Sequence, residues 1–226
     1  MSNFLSIAAV TATLRASLSG PVAEAVAGAS VTTGPPPQKL DPLVPPRTNL
    51  YLYQVIPNAN LRNLDLPTRA PGGRLHQAPV AAYDLHYLLS FYGDALLWQP
   101  QIMMGRVLAE LHAHPFLDLE MAARVSGQRD EPESEDPLSQ PLLQSADLYA
   151  HDEPIVLSPM SFSIEEISKI WSYLFNAPYT LSAAWKVSSV LIDAAPAPPR
   201  RPSPTQVVPN VSPILSVSVD ASVEDV

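Results

Sequence analysis

Apolar and polar side chains alternate along residues 81–92. Tyr83, Leu85, Tyr87, Leu89 and Phe91 fall on one side, and Asp84, His86, Ser90 and Tyr92 on the other. That two-residue period predicts a strand, closed by Gly93-Asp94. Residues 49–56 predict a second strand, with Tyr51, Tyr53 and Val55 pointing one way and Leu50, Leu52 and Ile56 the other. Apolar side chains on both sides imply cover on both faces, from helices or from a neighbouring subunit. Residues 181–192 predict a final core strand, in which Leu181, Ala183, Trp185, Val187 and Leu191 alternate against Ser182, Lys186 and Ser188. Two shorter strands are expected, one within 22–33 before the Pro35–Pro37 break and one at 155–157, where Pro154 stands just ahead of the pairing region.

Between these strands the period changes to that of a helix. Residues 1–19 bring Phe4, Ile7, Ala8, Leu14 and Leu18 to one helical face, with Ser2 or Asn3 as the cap. Residues 99–113 predict a second helix. Pro100 sits in its first turn, where a missing N–H is tolerated; Ile102, Met103, Val107 and Leu111 make the stripe, and Pro115 stops it. Residues 163–175 carry the clearest helix signature. Ser163 and Glu166 fit a capping box, ahead of a stripe of Ile164, Ile167, Ile170, Trp171 and Leu174. Residues 116–125 fit either a helical turn or a strand. Residues 57–80 show no period, and aperiodic loops of that length are usually functional or disordered.

Composition adjusts this picture at the ends and in one loop. Of 226 residues, 46% are hydrophobic and 15% charged, which supports one domain with a sizeable core. Of the 26 prolines, 13 cluster at 34–46 and 195–213, as in extended connectors. The expected organisation is a domain over 1–193, with a mobile acidic loop at 126–148, and a proline-rich tail over 194–226. The acidic loop carries Asp130, Glu131, Glu133, Glu135 and Asp136. A net charge of −9 with scattered basic residues argues against nucleic acid and anionic membranes as partners. No apolar run reaches the roughly 20 residues of a membrane span, and the N-terminus lacks the basic start of a secretory signal, so cytoplasmic synthesis is expected.

The chemistry-bearing residues do not converge on a catalytic set. There is no cysteine and no Gly-x-Ser-x-Gly elbow. His112 and His114 are two residues apart on a helix and point to different sides, so they cannot form a zinc clamp; at a helix C-terminus their charge suits the dipole. Asp84 and His86 share a strand face, a common polar arrangement on sheets. No catalytic residue, cofactor or metal is expected. The aperiodic loop holds Arg62, Arg69 and Arg74, three of 13 basic residues. Arginine suits bidentate pairing with carboxylates across an interface, although isolated surface charges usually contribute little.

Several segments resemble one family. They are Asn49-Leu50-Tyr51-Leu52-Tyr53, residues 58–62 and 65–69, Asp84 to Leu89 with Tyr92-Gly93, and residues 108–112, 164–171 and 179–185. Their order and spacing resemble the tail-terminator, or cap, proteins of phage-tail-like extracellular contractile injection systems of the virulence-cassette and antifeeding-prophage type. The resemblance implies an α+β fold, a mixed or antiparallel sheet flanked by helices. It also implies a structural, non-enzymatic role: a six-fold homo-oligomeric ring seated on the inner tube and sheath that ends their polymerisation. The assembly contacts expected on that reading are Arg62, Arg69 and Arg74 in the loop, and the alternating Leu215, Val217 and Val219 of the tail. The competing expectation is a stand-alone ligand-binding or enzymatic domain using Asp84, His86 and the loop arginines.

Overall fold

A computed structural model describes residues 4–38, 45–61, 80–118, 154–174 and 177–193. In chain order the elements are α1 (Ser6–Ala25), β1 (Ser30–Thr33), β2 (Arg47–Pro57), β3 (Val80–Tyr92), α2 (Gln99–Ala113), β4 (Val156–Met160), α3 (Ile164–Tyr173) and β5 (Ser182–Asp193). The strands form one five-stranded sheet in the order β1-β2-β3-β5-β4. β1 runs parallel to β2 and every other pairing is antiparallel, so the sheet is mixed and the fold is α+β.

α1 and α2 pack on each other and on one face of the sheet. Leu85, Tyr87, Leu89 and Phe91 of β3 meet Val10, Leu14, Leu18 and Val22 of α1 and Met103, Val107 and Leu111 of α2 in a single core. The second face is also dry at its centre, since His86, Leu88, Ser90 and Tyr92 are all buried. α3 and the residues before it lie on that side. The Trp171 indole N–H donates to Ser182 Oγ at 3.3 Å, and Phe162 meets the Tyr53 ring edge-on at 6.4 Å. Burial of the second face of β3 departs from its polar pattern there, whereas β2, expected to be covered on both faces, is exposed from Gln54 to Pro57.

Two bulges change which side chains face the core. In β2, Leu52 lies opposite Tyr87 and Gln54 opposite His86, so Tyr53 is an extra residue. One inserted residue moves every later side chain to the other face. Val55 therefore lies opposite Leu85 on the helix-covered side and Ile56 opposite Asp84, the reverse of strict alternation. In β5, Val187 lies opposite Leu85 and Val190 opposite Tyr83, so β5 has one residue more than β3 over that interval. Ser189 there takes a left-handed φ of 67°. Val190, fully buried opposite Tyr83, holds the core position that strict alternation gives to Ser189, and Leu191, opposite Ala82, falls on the other face.

The helices also depart in detail from their expected stripes. α1 begins at Ser6, with Leu5 at its cap position, and continues through Pro21 to Ala25; the expected caps Ser2 and Asn3 lie outside the described residues. Its buried positions are Ser6, Ala9, Val10, Thr13, Leu14, Leu18 and Val22, whereas Phe4 is 79% exposed and Ala8 faces out. A polar residue can lie on this face because Thr13 donates its hydroxyl to the Ala9 carbonyl at 2.8 Å. α2 has the expected bounds, although Ile102 is 46% exposed. The α3 capping box is present: Ser163 Oγ accepts from the Glu166 N–H at 3.2 Å, and the Glu166 carboxylate accepts from the Ser163 N–H at 2.8 Å. These bonds hold the Glu166 carboxyl below the usual range. Trp171 is the buried residue of this helix; Ile167, Ile170 and Leu174 are half-buried, and Ile164 is exposed. Phe116 forms a single isolated bridge to Val156, and residues 119–125 lie outside the described residues.

Candidate functional site

The sheet places Asp84 and His86 on its second face, where they form part of a small polar cluster. Asn58, just past the end of β2, is its pivot. The Asn58 backbone N–H donates to Ala82 O at 2.8 Å, and its side-chain amide donates to Asp84 Oδ1 at 2.7 Å. Asn58 Oδ1 accepts from the N–H groups of Asn60 and Leu61 at 2.9 and 3.0 Å. This is an Asx turn, in which a short polar side chain replaces a backbone partner at the point where the strand ends. Lys186 Nζ approaches Asp84 Oδ2 at 3.9 Å from β5. Through Asn58, Asp84 thus helps root the chain that leaves β2 towards the arginine loop.

His86 is not arranged as a general base. Its ring lies edge-on to Tyr53, with centroids 6.0 Å apart, and only 9% of the residue is exposed. Burial pushes its pKa below the ordinary imidazole value, Asp84 opposes that shift and Lys186 reinforces it. The sign of the consequence follows from linkage. The unfolded chain takes up a proton near pH 6.5 and the folded chain does so only at lower pH, so His86 favours folding fully above that value and less as pH falls through it. The melting temperature is expected to drop between pH 7.5 and pH 5.5, and His86→Gln to flatten that drop. An unchanged slope in the variant would show that His86 does not carry the dependence.

Arg62, Arg69 and Arg74 of the loop, Leu215, Val217 and Val219 of the tail, and the acidic loop at 126–148 all lie outside the described residues. The expected catalytic alternative uses Asp84 and His86 with the loop arginines; among the described residues, Asp84 engages Asn58 and Lys186. His112 is exposed, and His114 Nδ1 lies 3.1 Å from Glu110 Oε1 at the C-terminus of α2. Among the described residues, no three His, Cys, Asp or Glu side chains converge as metal ligands. No helix among them is long and apolar enough to cross a membrane.

Sequence reasoning passed over the segment between β3 and α2. Leu96, Leu97 and Trp98 are 88%, 60% and 66% exposed. The turn beneath them is tightly tied. The Asp94 N–H donates to Gln99 Oε1 at 2.8 Å, the Leu96 N–H to Asp94 Oδ1 at 2.8 Å, and the Gln99 N–H to Asp94 O at 3.2 Å. Trp98 holds a left-handed φ of 59°, uncommon for a bulky residue. A Cβ at Gly93 would lie 2.8 Å from Gln99 Oε1, so a side chain there would press the glutamine away from the Asp94 N–H. The signal was available in the sequence: three consecutive apolar residues in a turn are unusual unless they are functional.

Comparison with solved structures places this architecture. Over 98% of its length the chain shares a fold, with a TM-score of 0.53 and 16% identity, with a chain of the "PVC sheath/tube terminator in extended state" of an extracellular contractile injection system. The fold is therefore of the tail-terminator class. The chain belongs to the family of the Pvc16 N-terminal domain, whose model matches residues 9–206, past the end of β5. A second solved structure, the anti-feeding prophage cap (AFP tube terminating cap), aligns over 89% of the chain at 15% identity and a TM-score of 0.48. The chain spans 66% and 58% of the lengths of these two proteins. No curated protein matches it.

Proposed function

We propose that this chain is a structural cap of a contractile injection system. It closes the end of the tube and sheath as a six-membered ring and stops their growth. The observation that carries this reading is membership of the Pvc16 N-terminal domain family over most of the chain, together with the fold shared with a sheath/tube terminator. The polar cluster favours it over catalysis, because Asp84 braces the exit from β2 instead of facing a substrate cleft. The role is non-enzymatic and takes no cofactor. The protein is made in the cytoplasm and acts as part of the assembled particle.

Two docking elements follow on this reading. Arg62, Arg69 and Arg74 meet carboxylates on tube or sheath subunits. The proline-rich start of the tail acts as a spacer of about 3.1 Å per residue, and Leu215, Val217 and Val219 add as a strand to a sheet edge of a neighbour. β1, four residues long and paired on one side by β2, is such an edge. A cryo-EM map of particles from the producing cells tests the proposal. Six copies at the tube end are expected, whereas absence from the particle, a single copy or another symmetry overturns it.

A further inference from the structure

We propose that the turn carrying Leu96, Leu97 and Trp98 is a plug, and that the groove at the free edge of β5 is the socket for the same turn of a second copy. The inference rests on the ring reading above and names the surfaces that join its members. A cyclic assembly needs two different, mutually complementary patches on every subunit. The described surface offers such a pair.

The plug is apolar and rigid. Leu96, Leu97 and Trp98 stand out from a turn fixed by its own hydrogen bonds, and the 46%-exposed Ile102 of α2 extends the patch. A pre-ordered turn loses little conformational freedom on docking, and a buried tryptophan is a frequent interface anchor. The socket exists because β4 stops short. Met160 lies opposite Ala184, so Ser182 and Ala183 of β5 extend beyond the last β4 residue. The groove there has a volume of about 280 Å³ and is lined by Leu88, Leu108, Phe162, Ile167, Ala183 and Trp185 among others, none of the lining residues being charged. The Trp185 indole N–H is buried and has no hydrogen-bond partner among the described residues. An occupant of this groove therefore brings uncharged, apolar side chains. The exposed turn of a second copy supplies them. A charged surface of another protein would leave ions without partners there.

Placement separates the two patches within one chain. The plug leans on the β2 side, where a Cβ at Gly93 would lie 3.5 Å from Pro46 Cβ. The socket opens beyond β5, on the far side of β3. Both are at the end of the sheet where β3 finishes and β5 starts. Copies placed side by side thus bring the plug of one to the socket of the next, leaving a plug and a socket free at the two ends until the ring closes.

The chain has no native cysteine, so disulfide trapping is free of background. Leu97→Cys full-length protein is mixed with Ile167→Cys protein under mild oxidation, both at high concentration and within purified particles; Ala183→Cys serves as an independent socket position. The expected result is a cross-linked dimer in the mixture and monomers from either variant alone. A chain carrying both cysteines gives a ladder that ends at the ring number, and adding Trp98→Asp lowers the yield at least tenfold with an unchanged melting temperature. No cross-link in either setting overturns the proposal. So does a Leu97→Cys self-link, which means a two-fold contact, or a link only to another particle protein. Particle length reports the cap reading separately. Regular particles without the cross-link sink only the plug and socket, whereas cross-linked rings that never join particles sink only the cap.

Discussion

Trp171→Ala is expected to lower the unfolding free energy by about 3–5 kcal/mol, the usual range for removing a buried aromatic side chain. Trp171 is 8% exposed and is the buried residue of α3. Its ring meets Tyr179 edge-on with centroids 5.5 Å apart, and its N–H donates to Ser182 Oγ. Truncation removes both contacts and leaves a polar oxygen on the second face without its donor. The remaining apolar residues of α3 are half-buried or exposed, so little else holds the helix against the sheet. Denaturant titration followed by far-UV circular dichroism measures the loss. A change below about 1 kcal/mol would show that α3 does not depend on this anchor, since that is the size of an ordinary point substitution.

Reversing the charge of Arg62, Arg69 and Arg74 to glutamate is expected to abolish capping while leaving the melting temperature unchanged. The argument follows from the proposed interface. Each guanidinium that pairs with a carboxylate becomes a like charge facing one, and like charges across a contact are strongly unfavourable. The loop begins beyond Asn58, whose side chain is tied to Asp84, and the role proposed for the arginines is contact with a neighbour. Particles measured by electron microscopy are expected to become longer and irregular. Truncation after Asp193 is expected to weaken capping through loss of the tail contact. Normal particle length with both changes combined would leave neither docking element with support.

Much of the fold was readable because it follows from local chemistry. The two-residue period of β3, the Pro100 start and Pro115 stop of α2, and the Ser163–Glu166 box each act within a few residues, and each appears where expected. The candidate surfaces were less readable. Exposure of Leu96–Trp98 depends on what packs nearby, and Asn58 became the root of the loop only once β3 brought Asp84 beside it.

By itself the sequence determined where the main strands and helices lie and excluded cysteine chemistry, and the order of its segments carried the resemblance that implied an α+β tail-terminator fold. Tertiary structure decided the rest. The bulges at Tyr53 and Ser189 moved Val55 and Val190 to the core side and Ile56 to the other. Packing on α2 and the sheet selected a face of α1 that excludes Phe4. The early end of β4 opened the groove beside β5. In each case the pattern along the chain fixes only the alternation of side chains. Which face meets the core depends on pairing register, and register is set by partners distant in sequence.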